Sequence, residues 1–592
     1  MRNAATRGAT DGVTTLFSPV GGRTRASLSF RVGTADEPLH LRGISHLIGH
    51  LAAAAADHDH TGCPVSVSAS TLTFQLSGNA LAVANEIGAI CHWISTAAST
   101  PVDAKSIDRA RSLAVDDQRI HAPEHAPLLR HRYGPLTWAA GSYPELGLLH
   151  ITAAEITEWV STYLTTQNAV LALSGTKATT LRAPLPSGAY QPLPELASTT
   201  ITLPALVAID EARVSLSGVI ATDPQRLDRE RAAAGLTAEI ARSRIGYALG
   251  RRYGREITAR GGPMALGRNA VHVVTWADVD SAREAKIADI ATESLTVLGE
   301  RKLVEGELAA QVTRRLAAYD RLAGTAAGAH ELLHRQALGA LNEVPWSLAL
   351  ERRLLSTTNE ELVSKQISDL ASSVMLAMRA TDPPVRAWSA QRPSASFTPS
   401  GETFRSRPAY GIGARGSRPS RLIIGTDGIT VRTIAQRDRQ QKWSDIALAQ
   451  AWDDGRHLLT AKDGSTFDLV PERWLAPDMV EAAIRDRLPD DVSTVPMGHR
   501  VTPSPAPLRM TDRLAPAWWW SAAIVGALLL LAAAVPVWSG AVSWLRWIVL
   551  AVGATIVVVA GAWSAETVLT ERRLRASTEP HSDSQAEQQP TP

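Results

Sequence analysis

Residues 33–54 read GTADEPLHLRGISHLIGHLAAA, and this stretch decides how the rest of the chain is read. His46 and His50 lie four positions apart in a run otherwise made of Ile, Leu, Ala, Gly and Ser. Such a run is compatible with an apolar helix, and residues at i and i+4 share one helix face. Both imidazoles can then reach one metal ion. Gly49 stands immediately before the second histidine. Glycine has no side chain and cannot move a proton.

The residues on either side extend the pattern. Gly33, Asp36, Glu37, Pro38 and Gly43 precede the two histidines. Tyr163, Asn168 and Gly175 follow in YLTTQNAVLALSG, behind the amphipathic stretch SYPELGLLHITAAEITEWVSTYL. Over most of residues 10–200 the sequence resembles the insulinase (pitrilysin) zinc metallopeptidases, which include the mitochondrial processing peptidases. Their H-x-x-E-H helix carries two zinc ligands and a glutamate base. The resemblance implies an α+β fold of two tandem α/β-sandwich units, residues 1–203 and 204–380. The second unit opens with the strand-like VSLSGVIA and the helix-like RLDRERAAAGLTAEIARSRI.

The departures fall on the chemistry. Gly49 occupies the general-base position. The resemblance places the third ligand on a later helix, where SLAVDDQRI puts Gln118 in register, 68 residues after His50, with Asp116 and Asp117 as adjacent substitutes. In the second unit, an Arg and a Tyr of the family hold the substrate backbone. GRRYGREITARGG offers Arg251, Arg252 and Tyr253, with Ile257 in the aligned tyrosine position and Tyr247 as an alternative. Losing the base alone costs roughly 10²–10⁴-fold. The expectation is therefore an inactive peptidase fold, with no cofactor unless His46, His50, Asp117 or Gln118 still hold zinc. An active subunit of the family, a second copy of the chain or a peptide is its expected partner. The alternative is an active membrane-bound zinc endopeptidase with an atypical site.

Other motifs carry less. His121, Glu124 and His125 match H-x-x-E-H literally, but Pro123 lies inside the match and Pro127 just after it, which argues against a helix interior. His58 and His60, with Asp57 and Asp59, read as a solvated loop. Cys63 and Cys91 are the only cysteines, so no disulfide framework exists, and both read as buried thiols. A net charge of +2 on 592 residues gives no reason to expect nucleic acid.

Beyond residue 380 the composition shifts. Residues 381–419 and 489–515 are rich in Pro, Ser, Gly and Arg and read as linkers. Between them, residues 420–488 alternate short strand-like runs with Asp-Gly turns and end in the helix-like PDMVEAAIRDRL, an order similar to a small pleckstrin-homology-like module. Residues 517–538 and 547–564 are uncharged and apolar, flanked by Trp518, Trp519, Trp520, Trp544 and Trp547. They read as a transmembrane hairpin. Arg509, Arg513, Arg572, Arg573 and Arg575 flank it, against Arg546 alone between the segments. The positive-inside rule then places the N-terminal region and the polar tail, 576–592, in the cytoplasm of a multi-pass membrane protein. The N-terminus has no apolar core of a signal peptide.

Overall fold

The structure is a computed structural model. It describes residues 5–56, 64–118, 126–197, 201–209, 213–223, 225–254, 256–280, 282–300, 303–379, 389–390, 400–406, 419–433, 439–490 and 492–497. The hairpin segments 517–538 and 547–564, the tail, and the motifs at 57–60 and 121–125 lie outside these residues, as does Cys63. Among the described residues no helix is long and apolar enough to cross a membrane.

The first unit runs β1 (Thr6–Thr10), β2 (Val13–Ser18), β3 (Thr24–Phe30), α1 (Ile44–Ala56), β4 (Val65–Val67), β5 (Leu72–Gly78), α2 (Ala80–Ala97), α3 (Ala104–Gln118), α4 (Ala126–Tyr133), α5 (Ala153–Tyr163) and β6 (Ala169–Ser174). Its sheet has the order β1-β2-β6-β3-β5-β4, with β2 parallel to β6 and β3 antiparallel to both neighbours. The core packs Leu28, Phe30, Phe74 and Leu171 of the sheet against Ile44, Leu47, Ile48 and Leu51 of α1, Ile87, Ile90, Cys91 and Ile94 of α2, and Ile156 and Val160 of α5. Asn79 caps α2, and Thr152 with Glu155 forms a capping box on α5.

The second unit runs β7 (Ala205–Ala208), β8 (Arg213–Ala221), α6 (Leu227–Tyr253), β9 (Arg260–Leu266), β10 (Ala270–Asp278), α7 (Glu284–Glu300), α8 (Glu307–Ala323), α9 (Ala326–Leu341), α10 (Leu348–Thr357), α11 (Glu360–Ser372), β11 (Met375–Met378) and β12 (Ser389–Ala390). Its order is β12-β7-β11-β8-β10-β9, in which β7-β11-β8-β10-β9 repeats β2-β6-β3-β5-β4 of the first sheet, down to the parallel pair β7–β11; the edge strands differ, β1 lying antiparallel to β2 and β12 parallel to β7. Two mixed sheets of related order are thus present in the topology. The two units also exchange helices. Leu333, Ala337 and Leu341 of α9 pack on Leu16, Val170 and Ala172 of the first sheet. Leu128 of α4 packs among Ala205, Val207, Val274 and Met375 of the second.

The third module contains β13 (Gly401–Arg405), β14 (Pro419–Gly425), β15 (Gly428–Thr433), β16 (Arg439–Lys442), β17 (Ile446–Ala451), β18 (His457–Ala461), β19 (Thr466–Leu469), α12 (Pro477–Arg487) and β20 (Ser493–Pro496). Two four-stranded sheets, β13-β14-β15-β16 and β19-β18-β17-β20, share a core of Phe404, Leu422, Ile424, Trp443, Leu459 and Phe467, covered by Val480 and Ile484 of α12. Strands β13 and β20 come from stretches that compose like linkers. β13 is an edge strand of mostly exposed residues, and β20 lies parallel to β17 after the helix. Neither shows the apolar alternation by which strands are recognised. The module docks on the first unit. Leu448 and Val495 pack on Leu39 and Tyr143, the Tyr143 hydroxyl donates to the Lys462 carbonyl, and Gln450 Nε2 donates to the Leu146 carbonyl at 3.0 Å.

Candidate metal centre

The lead-in motif fixes where α1 begins. Glu37 is buried, and its carboxylate accepts from the backbone N–H groups of Gly43 (2.9 Å) and Ser45 (3.0 Å), two donors at the start of the helix. A carboxylate at this end also opposes the positive pole of the helix. Arg42 holds Glu37 in an ion pair of 2.5 Å. Gly43 has φ 103°, which L side chains rarely adopt. Asp36 is held by the buried Arg31 and by the Gly33 N–H at 2.8 Å.

With α1 so placed, His46 and His50 project from one face, their Nε2 atoms 3.1 Å apart. Asp117, in the last turn of α3, brings Oδ2 to 3.2 Å from His50 Nε2 and 3.9 Å from His46 Nε2. Among the described residues, these three form the one cluster of side chains placed to share a metal ion. Gln118 was the residue in register for the third position. Its side chain lies outside the described residues, and the carboxylate that reaches the histidines is its neighbour. One helical position is 100° of rotation, so adjacent residues of α3 present their side chains in different directions.

Zinc bonds of about 2.0–2.2 Å at tetrahedral angles put ligand atoms roughly 3.3–3.5 Å apart. The separations of 3.1, 3.2 and 3.9 Å bracket that value, and two imidazoles with one carboxylate are a donor set zinc accepts. The outer partner that metal-bound imidazoles require is also in place. His46 Nδ1 lies 2.9 Å from Glu145 Oε2, and Arg42 lies 3.7 Å from the same carboxylate. Burial works against a charge on His46, but Glu145 outweighs it and holds His46 above the ordinary imidazole value. Burial and the charge on His46 hold His50 below it. His46 thus lies between Glu145 at its Nδ1 and His50 at its Nε2. The Asp117 side is half-exposed, so the centre opens to solvent there.

Gly49 faces away from this opening. A Cβ at Gly49 would lie 2.4 Å from Val65 Cγ1 and 3.3 Å from Leu72 Cδ1. The space beside Gly49 is therefore filled by the β4 strand. Neither Val65 nor Glu145 was singled out from sequence. Glu145 lies 99 residues from His46, and only the fold brings them together.

Arg251, Arg252 and Tyr253 sit in the last turn of α6. Arg251 and Arg252 are exposed, and Tyr253 packs under the Arg283 guanidinium, 5.9 Å from ring centre to Cζ. Ile257 is buried in the second core, and Tyr247 is exposed. Among the described residues no hydrogen bond or ion pair joins any of them to His46, His50 or Asp117.

No family model matches the sequence, and no curated protein does. Solved structures do. A domain from Pseudomonas fluorescens described as a peptidase M16 inactive domain superposes with a TM-score of 0.52 at 15% identity, covering 64% of this chain and 99% of that one. A protease from Helicobacter pylori gives 0.51 at 10% identity, over 64% of this chain and 100% of its own. A chain of complex III from Candida albicans gives 0.50 at 12% identity, over 64% and 96%. The fold is the insulinase (M16) type.

Proposed function

We propose that this protein is a membrane-anchored, zinc-holding pseudopeptidase that binds peptide or positions a partner subunit without cleaving. The observation that carries this reading is the contrast within α1. Three donors and the Glu145 partner are arranged for a metal, while the base position is a glycine closed off by Val65. A zinc ion held by His46, His50 and Asp117 would supply Lewis acidity toward a water or a peptide carbonyl. Glu145 orients the His46 ring from the side away from the shared donors, and Arg42 holds Glu145 in turn. At the 49 position nothing can take a proton from a water, so the chemistry stops at binding. The neighbour described as inactive supports the same reading, and the one found in complex III supports a place in an assembly with an active or second subunit.

The two four-stranded sheets closed by α12 support a pleckstrin-homology-like architecture for the third module. Its docking on residues 143–146 supports an adaptor role. The apolar segments 517–538 and 547–564 supply the proposed anchor, with the described units on the cytoplasmic side.

A second reading, an active zinc endopeptidase, is favoured by the completeness of the donor set. The test is zinc-loaded full-length protein incubated with a pool of quenched fluorescent peptides. The pseudopeptidase reading expects peptide retention without turnover. Zinc-dependent cleavage that disappears in His46→Ala would replace it with the second reading.

A further inference from the structure

The second unit holds a cavity of about 320 Å³ among α6, α8, α9 and α10, within the size range of small-ligand sites. Its charged lining is Arg231, Arg315 and Arg335 against Asp228 and Glu351, three guanidiniums to two carboxylates. Two of the cations are committed. Arg315 bonds Glu239 (3.0 Å) and Glu351 (3.2 Å), and Gly235 lets its guanidinium lie against α6, since a Cβ there would be 2.4 Å from Nη1. Arg335, half-exposed, bonds Glu331 at 3.0 Å. Glu351 is committed as well, accepting from Arg315 and from the Tyr319 hydroxyl at 3.1 Å.

Arg231 is different. Its Nη2 donates to the Gly267 carbonyl and it has no ion pair among the described residues, although Asp228 is near enough to favour its charge; its buried Nε, like that of Arg315, has no hydrogen-bond partner. Across the same cavity the buried Oδ1 of Asn342 also lacks a partner, while its Nδ2 reaches Ser70 Oγ at 3.5 Å. Buried polar atoms without partners are costly, and here a donor on a cation and an acceptor both belong to residues that line one cavity. Trp346, Leu338, Leu350 and Pro345 supply the apolar wall.

We propose that this cavity captures a peptide C-terminus: the terminal carboxylate on Arg231, the last amide N–H on Asn342 Oδ1, and an apolar last side chain against Trp346 and Leu350. One terminus presents all three features at the required proximity. Guanidinium–carboxylate pairing in a partly desolvated pocket supplies the discrimination. This site is independent of the metal centre and stands whether or not zinc is bound.

The test is fluorescence anisotropy of the full-length protein with a fluorescein-labelled peptide ending Ala-Ser-Ala-Leu-Phe, as the free acid and as the C-terminal amide. The free acid is expected to bind saturably and the amide roughly tenfold or more weakly. Arg231→Gln is expected to lower free-acid affinity by a similar factor. Leu350→Trp, which fills the cavity and leaves every ion pair in place, is expected to abolish binding and decides the matter should Arg231→Gln unfold. Equal binding of acid and amide, no saturable binding up to about 1 mM, or wild-type binding by Leu350→Trp would each overturn the proposal.

Discussion

The two units share the order of five strands and exchange helices, yet they fix the exchange differently. Helix α4 crosses to the second sheet and plants Arg132, 1% exposed, on the hydroxyl (3.1 Å) and carbonyl (3.1 Å) of Ser217 and on the Ser373 carbonyl (2.9 Å). Helix α9 crosses to the first sheet and plants His330 between Ser27 (2.9 Å) and Ser174 (3.0 Å). Ser27 and Ser217 lie on corresponding strands, β3 and β8. One crossing therefore rests on a cation and the other on an imidazole that burial keeps neutral. The repeat divides again in its chemistry. The first unit presents a metal-ready face on α1, and the second a basic cavity against α6. The scaffold is common to both, and the sites are set by a few side chains laid on it.

The crossings can be broken separately. Arg132→Leu leaves three acceptors facing an apolar side chain and is expected to cost about 3–4 kcal/mol in denaturant unfolding of the full chain. A loss under 1 kcal/mol would mean that α4 does not hold the second sheet through this residue.

The His330 crossing is the pH-sensitive one. Burial, helped by the charges of His334 and Arg25 and opposed by Glu331, pushes the His330 pKa down to about 4. The unfolded chain binds that proton near the ordinary imidazole value while the folded chain does not. Stability is therefore full above that value and falls as the pH drops toward 4. At 1.36 kcal/mol per pKa unit the loss is roughly 3 kcal/mol. His334, also held low by burial, adds to it in the same direction. In His330→Gln this acid loss should shrink by most of that amount, and an unchanged pH profile would show that His330 is not its source.

Gly49→Glu tests whether the base can be restored. Val65 occupies the space, so the substitution is expected to destabilise the first unit by about 2 kcal/mol, with roughly half recovered when Val65→Ala is added. A stable Gly49→Glu protein would show that β4 yields easily. The smallest effect belongs to the third module. Tyr143→Phe removes the bond to the Lys462 carbonyl and should cost about 1 kcal/mol in module docking, read by protease sensitivity of residues 401–497.

The first unit was legible because its decisive residues lie within one short stretch. The four-residue spacing of His46 and His50 needs only a helix to bring them together, and Gly49 reads directly as a missing base. The third ligand was narrowed to neighbouring residues but not resolved, because one position turns a helix side chain by 100°. Glu145 and Val65 were not singled out, since their roles depend on contacts made across the sequence. The helix exchange escaped for the same reason: α4 and α9 look like ordinary amphipathic helices, and nothing local says whose sheet they cover. Strands β13 and β20 were read as linker because their residues are mostly polar or stand at an edge. The cavity around Arg231 gave no sequence signal at all, as its lining comes from four helices.

The most direct test of the account is zinc per chain in the purified full-length protein, by elemental mass spectrometry, beside Asp117→Ala and His46→Ala/His50→Ala. The account predicts about one zinc per chain in the wild type, a marked fall in Asp117→Ala and none in the double variant. Wild-type protein that stays free of zinc after equilibration with the metal, or an Asp117→Ala protein that holds zinc as firmly as wild type, would contradict it.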